Sequence, residues 1–126
     1  MIKGTGIDIV DLRRFQSMDS NRLERLAKRI LTANELAEYY SCINTRKFIF
    51  LAKHWSIKES VAKSYGTGIA GIVVWKNIEI SKSLLGQPQT SFINYLGKMA
   101  KDLRCHVSVS HDGDYLISSA VLEYVR

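Results

Sequence analysis

At 126 residues, with 46% hydrophobic and 24% charged side chains, the chain has the length and balance of one globular domain spanning 1–126. The longest apolar run, Phe48 to Ala52, falls far short of the roughly 20 residues that cross a bilayer, and Cys42 and Cys105 offer neither a C-x-x-C pair nor zinc-ligand spacing. A net charge of +6 and a pI near 9.4 keep three partner classes open: nucleic acid, an anionic membrane surface, or an acidic protein or phosphorylated ligand.

The alternation in Ile2 to Val10 predicts a strand in which Ile7 and Ile9 point one way and Asp8 and Val10 the other. Met1 to Asp11 lacks the apolar core of a secretory signal, so the expected setting is cytoplasmic, with reduced thiols. Asp11 to about Arg29 reads as helix, broken near Asp19, Ser20 and Asn21. It carries Arg13, Arg14, Arg22, Arg25, Lys28 and Arg29, either a solvated face or a docking patch for an acidic partner. Thr32 to Glu35 is a capping box that opens a helix running to about Ser41. A long helix starts near Thr45 and stops at Gly66. Val73 to Ser81 and Gln89 to Ile93 are strand-like, Asn94 to Asp102 is a short helix, and Cys105 to Ser110 with Tyr115 to Tyr124 forms a hairpin around His111 to Asp114. Strand, helices and then mostly strands give an α+β class.

The long helix holds the most informative stretch, WSIKESVAK from Trp55 to Lys63. At 100° per residue, Phe48, Leu51, Ala52, Trp55 and Ala62 share a face, with Glu59 in its middle. A carboxylate among apolar neighbours needs a cation, a metal ion or a hydrogen-bond network. Lys63 one turn on, or Lys58 next door, is the plain answer. Asp8, mid-strand between isoleucines, reads by itself as the polar face of an edge strand. Together the two carboxylates are hard oxygen ligands suited to Mg²⁺, which leaves Lys63 for a phosphate or a leaving oxygen. The loop Gly66-Thr67-Gly68 follows a helix C-terminus, whose dipole repels anions, so on its own it is a helix stop. His111, at a strand end, reads as solvated or structural, and no Ser-His-Asp arrangement is legible.

GIDIVDL at Gly6 to Leu12, LT-x-x-E at Leu31 to Glu35, W-x-x-K-E-x-x-x-K at Trp55 to Lys63, GTGI at Gly66 to Ile69, G-x-P at Gly86 to Pro88 and SVSH at Ser108 to His111 resemble, in order and spacing, the 4′-phosphopantetheinyl transferases of the short bacterial type. The resemblance runs from about Met1 to Glu123, and the first and third motifs carry most of its specificity. It implies an antiparallel sheet packed on a long central helix, and Mg²⁺-dependent transfer of 4′-phosphopantetheine from coenzyme A to a serine of apo-acyl-carrier protein, in fatty acid biosynthesis. By resemblance, Asp8 and Glu59 match magnesium ligands and Lys63 the lysine near the pyrophosphate. Gly66, Thr67, Ser110 and His111 match the coenzyme A site. Arg14 matches an arginine facing the acidic carrier protein, with Arg22 and Arg25 beside it on the basic segment. Short members of the family are trimers with sites at subunit interfaces. Asp8, Glu59 and a metal-bound water all remain open as the base for the serine. Where close relatives carry arginine five residues before the glutamate, this chain has His54, which puts a phosphate contact in question; Lys53, Arg46 and Lys47 are the candidates to replace it. Two other readings compete: a small basic nucleic-acid-binding module, weakened because residues 11–30 hold Phe15 as their sole aromatic, and a non-catalytic trimeric scaffold in which Glu59 merely pairs with Lys63.

Overall fold

The computed structural model describes residues 1–125. Strand β1 (Ile2–Asp11) leads into α1 (Leu12–Gln16), α2 (Ser20–Ile30) and α3 (Ala33–Ser41), then a 3-10 turn at Asn44–Arg46 and the long helix α4 (Lys47–Tyr65). A second 3-10 turn, Trp75–Asn77, precedes β2 (Ile78–Lys82) and β3 (Pro88–Phe92), followed by α5 (Asn94–Met99), β4 (Leu103–Asp112) and β5 (Tyr115–Tyr124). The sheet is antiparallel and comes in two pieces, one ordered β1-β5-β4 and the other a β2-β3 hairpin. Thr90 on β3 joins them by donating its hydroxyl to the Cys105 carbonyl at 2.7 Å.

The helix starts follow from their caps. Asp19 accepts from the Arg22 amide and opens α2, and Thr32 with Glu35 closes the expected capping box on α3. Gly66 ends α4 with φ 98°, a left-handed conformation that a side chain resists. Three expected boundaries move. Val73 to Asn77 is not strand, because Trp75–Asn77 turns in 3-10 fashion to bury Trp75 beneath α2 and α4 before β2 begins. The short helix stops at Met99 rather than Asp102, and β4 starts two residues earlier than expected, at Leu103.

Helix α4 is the axle of the molecule and is enclosed by nearly every other element. Its buried residues include Leu51, Ala52, Ile57, Val61 and Ala62 but also Ser56, Lys58, Ser60 and Ser64. Ser56, Ser60 and Ser64 recur every four residues and form a small-residue stripe toward the sheet. Ser56 and Ser118 on β5 share a hydrogen bond at 2.8 Å, and the Ser118 hydroxyl also donates to the Ser56 carbonyl. On β1, a Cβ on Gly6 would stand 1.9 Å from the Ser60 carbonyl oxygen, and one on Gly4 2.1 Å from that of Ser64. The two glycines therefore set how closely β1 lies on α4. One apolar cluster, around Ile57, Val61, Ile78 and Leu122, fills the space under both sheets; a second, around Phe15, Ile30, Tyr39 and Leu51, seals α1–α3 onto α4.

The single-face reading of α4 is corrected by this enclosure. Glu59, Phe48 and Trp55 are half-buried rather than core. The charges inside the protein are Lys58 and Glu35, both with fully buried side chains. A helix wrapped on all sides has no single apolar stripe, so a one-face reading placed the buried charge one residue late.

Candidate active site

Asp8 lies on the side of β1 that faces α4, while Ile7 and Ile9 face outward at 61% and 65% exposure. The expectation of a solvated polar face is thus inverted: β1 is an edge strand, yet its carboxylate turns inward. Close approach at Gly6 brings Asp8 to the last two turns of α4, where Glu59 and Lys63 project. The Lys63 ammonium donates to the Ile7 carbonyl at 2.9 Å and to Asp8 Oδ1 at 3.3 Å. The other oxygen, Asp8 Oδ2, is buried with no hydrogen-bond partner.

Glu59 takes part in no salt bridge among the described residues; Lys63 pairs with Asp8, and Lys58 with Glu35. Partial burial, then the negative charge of Asp8, push the Glu59 carboxyl above its usual range, and Lys63 pulls it back only in part. Two carboxyl groups sit close together, one with an orphaned inward oxygen, and Lys63 offsets their charge only in part. A divalent cation fits that deficit. Among the described residues no group of three or more His, Cys, Asp or Glu could hold a metal, so an ion held by Asp8 and Glu59 would take its remaining ligands from water and substrate. That division suits Mg²⁺, which keeps waters and takes phosphate oxygens.

The other expected site residues spread further. Gly66 and Thr67 follow directly on the end of α4, but the Thr67 hydroxyl donates to the Gly68 carbonyl. Ser110 and His111 are exposed at the end of β4, and β5 lies between them and β1. The structure does not bring them to the carboxylates within one chain. Arg14 lies over the Trp55 ring at 5.9 Å, one turn before Glu59, and Arg22 and Arg25 stand exposed on α2. None of the three arginines forms an ion pair among the described residues, whereas Arg13 is held by Asp11 and Asp114, and Lys28 by Glu24.

His54 is 8% exposed, donates its Nδ1–H to the Phe50 carbonyl, 2.9 Å away, and stacks on the Phe50 ring. Burial drops its pKa to about 4, so it is neutral at pH 7. It borders a cleft of about 300 Å³ floored by Ile57, Ile80 and Val109 and rimmed by Arg46, Lys53 and Lys82. Burial, then repulsion from Lys82 and Arg46, hold Lys53 below its usual range. This is a cleft short of an anion. Of the three cations expected to stand in for an arginine, Arg46 and Lys53 line it. Lys47 instead lies over the Tyr39 ring on another side of α4. Sequence reasoning missed Lys82, which arrives from β2; only the fold brings it to the cleft. It also missed the Lys58–Glu35 pair, although both residues belong to motifs it had singled out.

The profile of the 4′-phosphopantetheinyl transferase superfamily matches residues 4–120. The holo-[acyl-carrier-protein] synthase of Ligilactobacillus salivarius is 40% identical over 124 residues, covering 98% of this chain and 88% of the relative. That of Bacillus subtilis is 39% identical over 123 residues, covering 98% and 97%. Among solved structures, the holo-[acyl-carrier-protein] synthase of Neisseria meningitidis superposes with a TM-score of 0.88 at 35% identity, covering 98% of this chain and 99% of that one. The Bacillus anthracis enzyme, solved in complex with CoA (3′,5′-ADP), gives a TM-score of 0.82 at 31% identity, covering 98% of each chain.

Proposed function

The chain belongs to the 4′-phosphopantetheinyl transferase superfamily, and from that premise we propose that Asp8 and Glu59 are the protein's ligands for a catalytic Mg²⁺. It transfers the 4′-phosphopantetheine arm of coenzyme A to a serine of apo-acyl-carrier protein, leaving adenosine 3′,5′-bisphosphate. The observation that carries the metal reading is Asp8 Oδ2, a buried carboxylate oxygen with no partner, facing a second carboxyl group that burial and Asp8 hold above its usual range. Bound there, Mg²⁺ supplies Lewis-acid stabilisation of charge building on the pyrophosphate. Lys63 places an ammonium beside the same carboxylates, where it neutralises charge on the bridging oxygen as the phosphodiester forms and the bisphosphate leaves. The free cations Arg14, Arg22 and Arg25 form the surface for the acidic carrier protein.

The cleft rimmed by Arg46, Lys53 and Lys82 suits a coenzyme A phosphate, with the neutral His54 as wall rather than charge. It opens on a different side of α4 from the carboxylates: Glu59 lies roughly 160° around the helix from Ile57 in the cleft floor. One copy's carboxylates and a second copy's cleft would therefore complete a site. Ile7, Ile9, Ile117 and Tyr115 make an exposed apolar face on the outer side of the sheet, at 61%, 65%, 40% and 51% exposure, which supports the homotrimer. A cytoplasmic role in fatty acid biosynthesis fits the two free thiols, Cys42 and Cys105, and the carrier protein modified.

Calorimetric titration of Mg²⁺ in the presence of coenzyme A tests the metal assignment. The wild-type chain should bind, while Asp8→Asn and Glu59→Gln should each weaken binding at least tenfold, with circular dichroism unchanged. Wild-type binding in either variant would remove that residue from the site.

A further inference from the structure

Lys58, adjacent to Glu59 in sequence, has no place in the chemistry above, yet its side chain, like that of Glu35, is fully enclosed. Its ammonium donates to three acceptors on three elements: the Ile30 carbonyl at the end of α2 at 2.7 Å, Glu35 Oε1 on α3 at 2.6 Å, and the Trp75 carbonyl in the 3-10 turn at 2.8 Å. Glu35 is itself fixed. Its Oε1 accepts from the Thr32 amide at 2.8 Å, and its Oε2 from the Ile80 amide on β2 at 2.7 Å. The Thr32 hydroxyl continues the chain to Glu79 at 2.6 Å. Burial draws the Lys58 ammonium below its ordinary range and Glu35 opposes that; the other charges acting on it are Glu79 and Lys76. Neutral His54 stands 3.9 Å from Glu35.

Three full acceptors for three ammonium protons leave nothing unsatisfied, so the arrangement has one geometry. Stability alone is a poor reason for it, because buried ion pairs are often replaceable by apolar residues at no net cost. What such a pair can do is select one arrangement among several close ones. Here the element selected is α4, whose buried surface of Ser, Ala, Leu, Ile and Val would tolerate small rotations about its axis. Lys58 grips the helix from the side of α2, α3 and β2. Gly4 and Gly6 hold it from the side of β1. Glu59, 100° further around than Lys58, lies between these two fixed points.

We propose that Lys58 is a positioning residue for phosphopantetheine transfer: its three-way grip sets the rotation of α4 and so places the Glu59 carboxylate against Asp8. The proposal rests on the metal assignment above. A carboxylate about 6 Å from a helix axis moves about 1 Å for each ~10° of rotation. Mg²⁺ requires near-ideal octahedral geometry, so a displacement of that size is enough to lose a ligand.

The test compares Mn²⁺ half-saturation, read by electron paramagnetic resonance with coenzyme A present, with the kcat and KM of transfer and with Tm. Three chains are compared: wild type, Lys58→Met/Glu35→Gln, which removes both charges together, and Thr32→Ala. Thr32→Ala loosens the same region through the α3 cap while leaving Lys58 its three acceptors, and lowers Tm by a few degrees. The expected result is a split. The double variant should keep a Tm near wild type yet raise Mn²⁺ half-saturation about 10-fold and cut kcat about 10- to 100-fold, with KM for coenzyme A within about twofold. Thr32→Ala should lose stability but keep wild-type Mn²⁺ half-saturation. Should the double variant not fold, Lys58→Gln/Glu35→Gln, which also removes both charges but keeps polar groups at both positions, is read for the same split. Wild-type Mn²⁺ affinity in the folded charge-free variant, or a weakening in Thr32→Ala that tracks its lost stability, overturns the proposal. Failure of the wild type itself to bind Mn²⁺ would instead overturn the metal assignment.

Discussion

Asp8, Glu59 and Lys63 meet because Gly4 and Gly6 lack a Cβ. Gly6 lets β1 rest against the Ser60 carbonyl, which draws Asp8 to within 3.3 Å of the Lys63 ammonium. The electrostatics of the trio have a pH consequence. A carboxyl whose pKa is raised in the folded chain holds more protons folded than unfolded, so its share of stability is present at low pH and is lost as pH rises through the raised pKa. Glu59 is such a group. The metal-free protein should therefore lose some stability above the ordinary carboxylate range, and Mg²⁺ should restore it by binding the charged form. Thermal unfolding with and without Mg²⁺ is expected to show a Tm gain that is largest near neutral pH and vanishes below about pH 4.5. Glu59→Gln should show no such pH-dependent gain; an equal gain in that variant would place the ion elsewhere. The sequence made this trio legible, since both carboxylates and the lysine sit in quotable motifs. Lys58 stayed illegible: a lysine inside a helix is ordinarily solvated, and only the three-element enclosure of α4 tells it apart from Lys63.

At the scale of elements, the helix–strand contact is the joint on which the site depends. Gly6→Ala would drive a methyl group to 1.9 Å from a backbone oxygen that cannot rotate away, so β1 must move off α4. The expected cost is about 2–3 kcal/mol, with loss of turnover beyond what the stability change accounts for; denaturant unfolding paired with initial rates reads both. Unchanged rates would mean that Asp8 follows the helix regardless. Capping chemistry made α3 and the end of α4 readable in advance, through Thr32, Glu35 and Gly66. The stretch before β2 was not, because Val73 and Val74 have strand propensity while burial of Trp75 imposes a turn. His54 likewise could be judged only in place. Its stacking on Phe50 turns a substitution that looked like a lost phosphate contact into part of a cleft wall, with Arg46, Lys53 and Lys82 carrying the positive charge.

For the whole molecule, the cation-rimmed cleft and the carboxylate pair open on different sides of α4, and the outer sheet face is apolar where Ile7, Ile9 and Ile117 project. Ile9→Lys should weaken assembly by placing a charge on that face. Sedimentation is expected to show smaller species, with transfer activity falling as they appear; full activity in a monomer would show that one chain completes the site alone. The same division predicts complementation: Glu59→Gln and Lys53→Glu chains, each impaired, should regain activity when refolded together. The claim on which all of this depends is that the chain moves phosphopantetheine through the Asp8–Glu59 pair. Intact-mass measurement of apo-acyl-carrier protein after incubation with coenzyme A and Mg²⁺ tests it most directly. The wild-type chain should load one phosphopantetheine per carrier, and none should be loaded with Glu59→Gln or after chelation of the metal. An unmodified carrier with the wild type, or a modified one with Glu59→Gln, would contradict that claim.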